Sequence, residues 1–173
     1  MSITVFHVTE RSGNKFHTTV KLIALFLIGA LAPGAHSAEF ADLQPSTEFS
    51  PQQVIEIVIE ALGGNGETEG DVGIETVYRF ASPGNRANTG PLSRFTMMIK
   101  TGFADMLDHK GPRFEPMEIR NDKAVQAIWL LTAEGYEVGY AFQMGLQGSG
   151  IYEGMWMTEA VVPLGKKKAG TRI

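Results

Sequence analysis

Apolar residues alternate strictly over Tyr136–Leu146, and this pattern constrains the fold more than any other stretch of the chain. Every even position is apolar, whereas the odd positions hold Glu137, Gly139, Ala141, Gln143 and Gly145. Because successive side chains of a β-strand point to opposite faces, the alternation predicts a strand with one apolar face. Such a face must be covered by a second layer of structure.

The same two-residue period extends along the C-terminal half of the chain from Arg113. It predicts four strands, at residues 114–120, 124–132, 136–146 and 151–162. Pro116 predicts an edge position for the first strand, since proline cannot donate a hydrogen bond to a neighbouring strand. The unbroken apolar run at residues 128–131 predicts that the second strand is central and covered on both faces. Glycines within the strands predict bulges and strong curvature.

Helical spacing of apolar residues precedes the strands and predicts three helices. They run from Ser50-Pro51 to Gly63-Gly64, from Asp71 to Pro83, and from Gly90-Pro91 to Lys110, the last with a kink at Gly102. Ser50 and Gln53 have the spacing of a capping box at the start of the first helix. The stretch between Pro83 and Gly90 is predicted to be a short polar loop.

Three helices followed by an antiparallel meander indicate an α+β fold. We expect the three N-terminal helices to pack in a strongly curved, cone-like antiparallel sheet. The predicted domain spans residues 50–165. A signal peptide at residues 1–38 and a polar linker at residues 39–49 precede it, and a basic, disordered tail at residues 166–173 follows it.

The N-terminal segment has the layout of a secretory signal peptide. A mildly basic stretch precedes the apolar run at residues 22–31, and Pro33-Gly34 and small residues follow, so we expect cleavage after Ser37 or Ala38. The run is shorter than the roughly 20 apolar residues of a membrane-spanning helix. The mature protein is therefore expected, without a transmembrane segment, in the periplasm or outside the cell, or in the thylakoid lumen of a plastid-type system. An uncleaved anchor is the alternative.

The charge distribution and the absence of cysteine exclude several classes of function. The net charge of -4 conceals an acidic body between two basic ends, which argues against a nucleic acid partner because phosphate contacts need a basic face. The chain has no cysteine, so disulfides, thiolate metal sites and a cysteine nucleophile are excluded. No cofactor motif is present, and we predict neither a cofactor nor a metal site.

Three short motifs carry a resemblance to a known family. They are Phe80-Ala81-Ser82-Pro83, the pair Gly90-Pro91 followed by Phe95, and Gly154-Met155-Trp156-Met157-Thr158. On these motifs the chain resembles, over about residues 52–163, a bacterial and plastid family with a domain of unknown function. That family looks like a member of the nuclear transport factor 2-like superfamily, which includes ketosteroid isomerase and polyketide cyclases. The resemblance implies a cone fold with a pocket and carries over no catalytic residue.

Three side chains are candidates for acid–base chemistry if the protein is an enzyme. Glu153 and Glu159 on the last predicted strand could point into the cone, where an apolar environment would suit proton transfer. The alternative is that both lie on the solvated outer face. His109 shares a predicted helix face with Asp105 and Asp108, which could form a His–Asp base pair. The alternative is a structural histidine near a helix C-terminus, where the dipole favours its protonated form.

Aromatic residues and two arginines are the candidates for binding sites. The aromatic candidates for an apolar pocket are Tyr78, Trp129, Tyr136, Tyr140, Phe142 and Trp156. Arg86 and Arg94 flank Gly90-Pro91 and could clamp an anion at the start of the third helix. The alternative for the two arginines is an ordinary surface position.

Taken together, the sequence predicts an exported, non-catalytic cone-fold domain that binds a small apolar ligand or a protein partner. The aromatic inner row of the strand at residues 136–146, without an evident acid–base pair, is the basis of this prediction. One alternative is an isomerase- or dehydratase-like enzyme that uses Glu153, Glu159 or His109 without a cofactor, with Tyr136 or Tyr140 within hydrogen-bond reach. Another is a structural module that forms a homodimer through the outer face of its sheet.

Overall fold

The computed structural model describes residues 40, 42–65, 70–107 and 109–170, and this part of the chain has the predicted α+β fold. Its helices lie N-terminal to its strands, which form a single open antiparallel sheet. The predicted signal peptide and its cleavage site lie outside the described residues.

Helix α1 (Pro51–Gly63) begins at the predicted capping box. The backbone N–H of Gln53 donates to Ser50 Oγ at 3.3 Å, and the backbone N–H of Ser50 donates to Gln53 Oε1 at 2.9 Å. The reciprocal bonds satisfy donors that a helix N-terminus otherwise leaves free. Most of the helix surface is buried, so α1 forms the centre of the helical layer.

Helices α2 (Val72–Phe80), α3 (Pro83–Thr89) and α4 (Leu92–Gly102) follow, and α3 replaces the predicted polar loop. Ser82 caps α3 and Pro83 occupies its first turn, which are favourable positions for both residue types. The predicted third helix ends early, because the chain continues after Phe103 as a 3₁₀ turn at Ala104–Met106. Asp71 makes no side-chain cap for α2, and its carboxylate instead pairs with Lys100 at 2.7 Å.

The strands of the sheet are β1 (Pro112–Phe114), β2 (Glu118–Arg120), β3 (Lys123–Leu131), β4 (Tyr136–Leu146) and β5 (Trp156–Lys168). Their order is β1-β3-β4-β5, and β2 also pairs with β3. The predicted first strand is therefore two short strands along one edge of β3, separated by residues 115–117. Pro116 lies in this break, as expected for a residue that cannot donate to the ladder.

The burial of β4 confirms the face predicted from its alternation. Val138, Tyr140, Phe142 and Met144 are all buried, whereas Tyr136 at the start of the strand is exposed. The prediction that β3 is covered on both faces is wrong, because its burial alternates and Val125 remains 45% exposed. The helices cover only one face of the sheet at β3. The unbroken apolar run at residues 128–131 therefore does not correspond to a strand that is buried on both faces.

Strand β5 is displaced towards the C-terminus from its predicted position. Residues 150–152 form a 3₁₀ turn, and the strand begins at Trp156 and continues to Lys168. Lys166, Lys167 and Lys168 thus pair with Val138, Glu137 and Tyr136 in the sheet instead of belonging to a disordered tail. The backbone groups at the start of β4 need hydrogen-bond partners, and residues 166–168 supply them. The predicted domain boundary at residue 165 therefore excludes residues that belong to the sheet.

Two irregularities interrupt the pairing of β5 with β4. Gly139 pairs with Gly165 and Tyr140 with Pro163, which leaves Leu164 without a partner. Further along, the partner residues jump from Ala160 to Thr158, which leaves Glu159 unpaired. Each extra residue is a β-bulge, which increases local twist and changes the direction of nearby side chains.

The predicted linker before α1 also contributes to the fold. Phe40 is buried in the hydrophobic core, and Leu43 and Phe49 pack against that core. The carbonyl oxygens of Phe40 and Leu43 accept hydrogen bonds from the Arg79 side chain at 3.0 and 3.2 Å. This segment is thereby attached to α2 instead of being a free spacer.

Candidate functional site

A cavity of about 240 Å³ lies between the helices and strands β4 and β5. Its apolar lining includes Val58 and Leu62 from α1, Phe95, Met98 and Ile99 from α4, and Phe142 and Val161 from the sheet. The cavity is partly open to solvent, and most of the surface that lines it is apolar. The helices and the sheet therefore leave an apolar pocket between them.

Polar side chains contribute to the same lining. Asn85, Asn88 and Thr89 come from α3, and Thr158 and Glu159 come from β5. Helix α3 has no buried residue, and Asn88 is exposed to solvent. The polar residues therefore lie together where α3 approaches β5, whereas α1, α4 and the sheet supply most of the apolar lining.

Glu159 occupies the second bulge of β5, where it has no partner on β4. In a regular strand, Thr158 and Glu159 would face opposite sides of the sheet. Both residues border the cavity, and Thr158 pairs with the buried Met144. The Glu159 carboxylate instead lies against Gly145, an odd position of β4, and therefore on the face of the sheet that points away from the helices.

Both oxygens of the Glu159 carboxylate accept hydrogen bonds from neutral side chains. The Ser82 hydroxyl donates to Oε2 at 3.0 Å, and the Gln147 amide donates from Nε2 to Oε1 at 2.9 Å. Ser82 is 1% exposed, and its oxygen also accepts from the backbone N–H of Asn85 at 3.0 Å. One serine therefore caps α3 and orients the glutamate.

Gly145 provides the space that the Glu159 carboxylate occupies. A Cβ atom at position 145 would lie 2.6 Å from Glu159 Oε1, well inside van der Waals contact. Gly145 is buried and pairs with Met157 in the ladder. Glycine is required at position 145 because the Glu159 carboxylate fills the space that a side chain would occupy. The backbone conformation at this position does not itself require glycine.

The segment Phe80-Ala81-Ser82-Pro83 attaches the helices to β5. Ala81 forms a parallel bridge with Thr158, and the backbone N–H of Ser82 donates to the Thr158 carbonyl at 2.9 Å. The same carbonyl accepts from Asn85 Nδ2 at 3.0 Å. The side chain of Phe80 is fully buried. The motif thus aligns α3 with the bulged part of β5, beside the cavity.

The three acid–base candidates have different surroundings. Glu159 borders the cavity with its carboxylate directed to Gly145 on the outer face of the sheet, whereas Glu153 is exposed in the turn before β5. His109 lies beside α1, with Nε2 3.1 Å from the carbonyl oxygen of Ile59, and it is not among the described lining residues. The two hydrogen-bond donors to Glu159 are Ser82 and Gln147, not the tyrosines that were expected near an acid–base residue.

Among the aromatic pocket candidates, Phe142 lines the cavity. Tyr140 is buried and packs on Phe103, with ring centroids 5.9 Å apart. Burial, with a smaller contribution from the charge of Asp105, raises the pKa of Tyr140 to about 12. Trp156 packs against the hydrophobic core without contributing to the described lining.

Tyr78 and Tyr136 have structural contacts outside the described lining. The Tyr78 hydroxyl donates to the carbonyl of Gly90 at 3.1 Å, and its ring meets Phe95 edge-on at 5.2 Å. Tyr136 is exposed at the start of β4, with Lys166 Nζ 5.0 Å from its ring centroid. Tyr78 therefore supports the turn between α3 and α4.

Trp129 was predicted as a pocket residue, and the structure instead places it on the outer face of the sheet. Its ring covers Gly139, where an added Cβ would lie 2.8 Å from the indole. Lys167 Nζ lies 4.1 Å from the ring centroid, and the Arg113 guanidinium lies 5.9 Å from it. The position is odd-numbered in β3, and the odd positions of that strand face away from the helices.

The two anion-binding candidates have different contacts. The guanidinium of Arg86 lies against the rings of Tyr78 and Tyr152, at 5.8 and 5.0 Å from their centroids. Arg94 is exposed on α4 beside Gly90. Arg86 thus holds α3 against neighbouring aromatic side chains.

Ser82 and Gln147 are the site residues that the sequence reasoning missed. The sequence prediction ends the second helix at Pro83 and so places Ser82 at the end of a helix instead of at the start of one. Ser82-Pro83 repeats the Ser50-Pro51 pattern that was recognised as the start of α1, and this signal could have identified α3. Gln147 lies after β4, and nothing in the sequence around it indicates a contact with β5.

Two negative findings apply to the described residues. They contain no group of three or more histidine, aspartate or glutamate side chains arranged to hold a metal ion. None of the described helices combines the length and apolar character that crossing a membrane requires.

In the described residues, the fold and site define an α+β domain in which four helices and an open, curled antiparallel sheet border a partly polar cavity. The chain belongs to the family described as "Domain of unknown function (DUF4864)", whose model matches residues 44–169. No curated protein and no solved structure matches the chain.

Proposed function

We propose that this domain binds a small, largely apolar ligand in the cavity between its helices and strands β4 and β5. The cavity itself supports the proposal, because its volume of about 240 Å³ is enclosed mainly by apolar side chains. An apolar cavity of roughly 150 Å³ is large enough to bind benzene. In proportion, this cavity suits a ligand of about ten non-hydrogen atoms.

Adjacent methionines on α4 provide a matched test. Met98 lines the cavity, whereas Met97 is 67% exposed. Butylbenzene has a suitable size, and its binding to the full chain can be followed by NMR titration. Met98→Trp places an indole in the cavity and is expected to abolish binding, whereas Met97→Trp should bind as the wild type does. Failure of the wild type to bind, or equal binding by both variants, would reject the cavity as the ligand site.

A second candidate function is proton transfer by Glu159 in a cofactor-independent, isomerase- or dehydratase-like reaction. The observation in its favour is that Glu159 borders an apolar cavity and that Ser82 and Gln147 hold its carboxylate in one orientation. Such a base would remove a proton from a carbon next to a carbonyl group and return it elsewhere on the substrate. The presence of a carboxylate alone does not distinguish a base from a binding group, so ligand binding remains the leading proposal.

Deuterium exchange tests this second function. Phenylbutanone in D₂O should lose its α-protons faster with the wild type than without protein, and Glu159→Gln should remove the acceleration. Glu153→Gln is the matched control, because Glu153 is exposed outside the cavity. Exchange at the uncatalysed rate with the wild type would argue against a catalytic base for ketones of this size.

Four further proposals rest on the sequence. The motifs quoted above support membership of the nuclear transport factor 2-like superfamily. The N-terminal layout supports export to the periplasm, the cell exterior or a thylakoid lumen. A protein partner and a homodimer are the remaining alternatives for the role of the domain.

N-terminal sequencing tests export, since the exported protein should begin after Ser37 or Ala38. Light scattering of the purified protein tests the dimer.

A further inference from the structure

The described lining residues direct no charged group into the cavity, which narrows the class of ligand for the proposed function on which this inference rests. Glu159 is the only described lining residue with an ionisable side chain, and its carboxylate lies over Gly145 on the outer face of the sheet. A charged group that enters an apolar pocket without an opposite charge loses solvation that nothing replaces. The lining therefore favours an uncharged ligand.

Helix α3 provides the polar side chains that remain for such a ligand. Asn88 and Thr89 follow Asn85 by three and four residues, so the three side chains share one face of the helix, and all three line the cavity. Thr158, on the inner face of β5, donates its hydroxyl hydrogen to Met144 Sδ at 3.8 Å. The polar part of the lining that can meet a ligand is therefore mainly this face of α3.

The hydrogen bonds of α3 leave acceptors at this face. Thr89 donates its one hydroxyl hydrogen to the backbone carbonyl of Asn85 at 2.9 Å, and Asn85 donates from Nδ2 to the carbonyl of Thr158 at 3.0 Å. A carbonyl can only accept, which fixes the orientation of the Asn85 amide and leaves Oδ1 as an acceptor. No described residue donates to Asn85 Oδ1 or to Thr89 Oγ1. The ligand that matches these oxygens is a neutral hydrogen-bond donor.

We infer that the cavity selects small uncharged alcohols, with the hydrocarbon part among the side chains of α1 and α4 and the hydroxyl group at α3. The ligand hydroxyl donates to Thr89 Oγ1 and accepts from the amide of Asn88. A hydroxyl that already donates a hydrogen bond is a stronger acceptor, because hydrogen bonds in a chain polarise one another. Thr89 is in that state, since its hydrogen is bonded to the carbonyl of Asn85.

Two threonines that make the same local hydrogen bond provide a matched test. The Thr101 hydroxyl on α4 donates to the carbonyl of Met97, four residues earlier, at 2.8 Å, as Thr89 does to that of Asn85. Thr101 is exposed and is not among the described lining residues. Thr89→Val and Thr101→Val therefore remove equivalent hydrogen bonds from the protein, but the first alone removes an acceptor from the cavity.

Calorimetric titration of the full chain compares phenylpropanol with butylbenzene, in which a methyl group replaces the hydroxyl. Thr89→Val should weaken phenylpropanol binding about threefold to tenfold, as expected for the loss of one hydrogen bond. The same variant should leave butylbenzene binding unchanged. Thr101→Val should leave the binding of both compounds unchanged.

A third variant and two charged compounds extend the test. Asn88 is exposed, so Asn88→Ala is expected to fold even if Thr89→Val does not, and it should weaken phenylpropanol about twofold or more without affecting butylbenzene. Phenylpropylamine and phenylpropanoate carry opposite charges on the same hydrocarbon chain. At neutral pH each should bind about tenfold or more weakly than phenylpropanol, because neither charge finds a partner in the lining.

The possible results separate this inference from the proposal beneath it. If butylbenzene binds and phenylpropanol does not, or if Thr89→Val and Asn88→Ala change the two affinities equally, the role of α3 is overturned while the apolar site stands. Tighter binding of the amine or the carboxylate than of the alcohol would overturn the selection of an uncharged ligand. If neither butylbenzene nor phenylpropanol binds to the wild type, both the proposed function and the inference are rejected.

Discussion

The hydroxyl oxygen of Ser82 lies 3.0 Å from Oε2 of Glu159, and the two residues are 77 positions apart in the sequence. Ser82 caps the start of α3, and Glu159 occupies the bulge of β5. The contact therefore joins the helical layer to the sheet beside the cavity. Because one hydroxyl serves both the helix and the carboxylate, the stability of α3 and the geometry of the site are expected to depend on each other.

Ser82→Ala should lower the free energy of unfolding by about 1–3 kcal/mol. The change removes a helix cap, worth about 1 kcal/mol, and a hydrogen bond to a carboxylate. Urea denaturation measures the effect. Ser93→Ala is the control, because Ser93 is exposed on α4. A stability loss no larger than that of the control would show that the Ser82 contacts are not important in solution.

Gly145→Ala should destabilise the protein by about 1–3 kcal/mol, the usual range for overpacking. The new methyl group would collide with the Glu159 carboxylate, which is held in place by Ser82 and Gln147. Gly148→Ala is the matched control, since an added Cβ there has no atom within 4 Å.

A double-mutant cycle tests the cause of that effect. In a Glu159→Ala background the obstructing carboxylate is absent, so Gly145→Ala should cost much less than in the wild type. The stabilities of all four proteins in the cycle can be compared by thermal unfolding. Additive effects of the two substitutions would contradict the contact between Gly145 and Glu159.

Tyr140 should make the stability of the domain fall at alkaline pH. Its folded-state pKa is raised to about 12, above the value of about 10 expected in the unfolded chain, by burial and by Asp105. Below about pH 10 the stabilisation is fully present, and it is lost as the pH rises towards about 12. The decrease from this single group is at most about 1.4 kcal/mol per pH unit.

Tyr140→Phe removes the titrating hydroxyl while the ring can still pack on Phe103. Urea denaturation at several pH values from neutral to alkaline should therefore give a shallower decline for the variant than for the wild type. Parallel declines would show that the buried Tyr140 hydroxyl does not control alkaline stability.

Lys167→Glu should destabilise the sheet by about 1 kcal/mol, in the range measured for cation–π contacts and partly exposed ion pairs. The change removes an ammonium 4.1 Å from the centroid of Trp129 and places a second carboxylate beside Glu137. Lys168→Glu, at the exposed neighbouring position, is the control. Equal stabilities of the two variants would argue against a structural role for Lys167.

The sequence predicted the elements whose patterns are local. The capping box at Ser50 and Gln53 and the buried even positions of β4 are confirmed, because each depends on spacing within one element. The α+β arrangement follows from the order of helices and strands. The face of the sheet on which Trp129 lies could not be predicted from its own strand. A continuous apolar run does not reveal which face of the strand the helices cover.

The candidate site depended on features that the sequence indicated only in part. Glu159 and Phe142 were among the candidates, and both line the cavity. The choice of Glu159 over Glu153 depends on the position of a bulge, which shifts the pairing of β5 and has no clear sequence signature. The role of Ser82 depends on α3, which is seven residues long and too short to show a helical pattern of apolar residues.

The two bulges of β5 have a consequence for how related chains can change in length. On both sides of each bulge the residues of β5 share the face of their partners on β4, as Thr158 does with Met144 and Val161 with Phe142. Loss of the extra residue at position 159 or 164 would therefore restore regular pairing and leave the facing of the rest of β5 unchanged. Each of the two bulges can be gained or lost independently of the other in the evolution of the family.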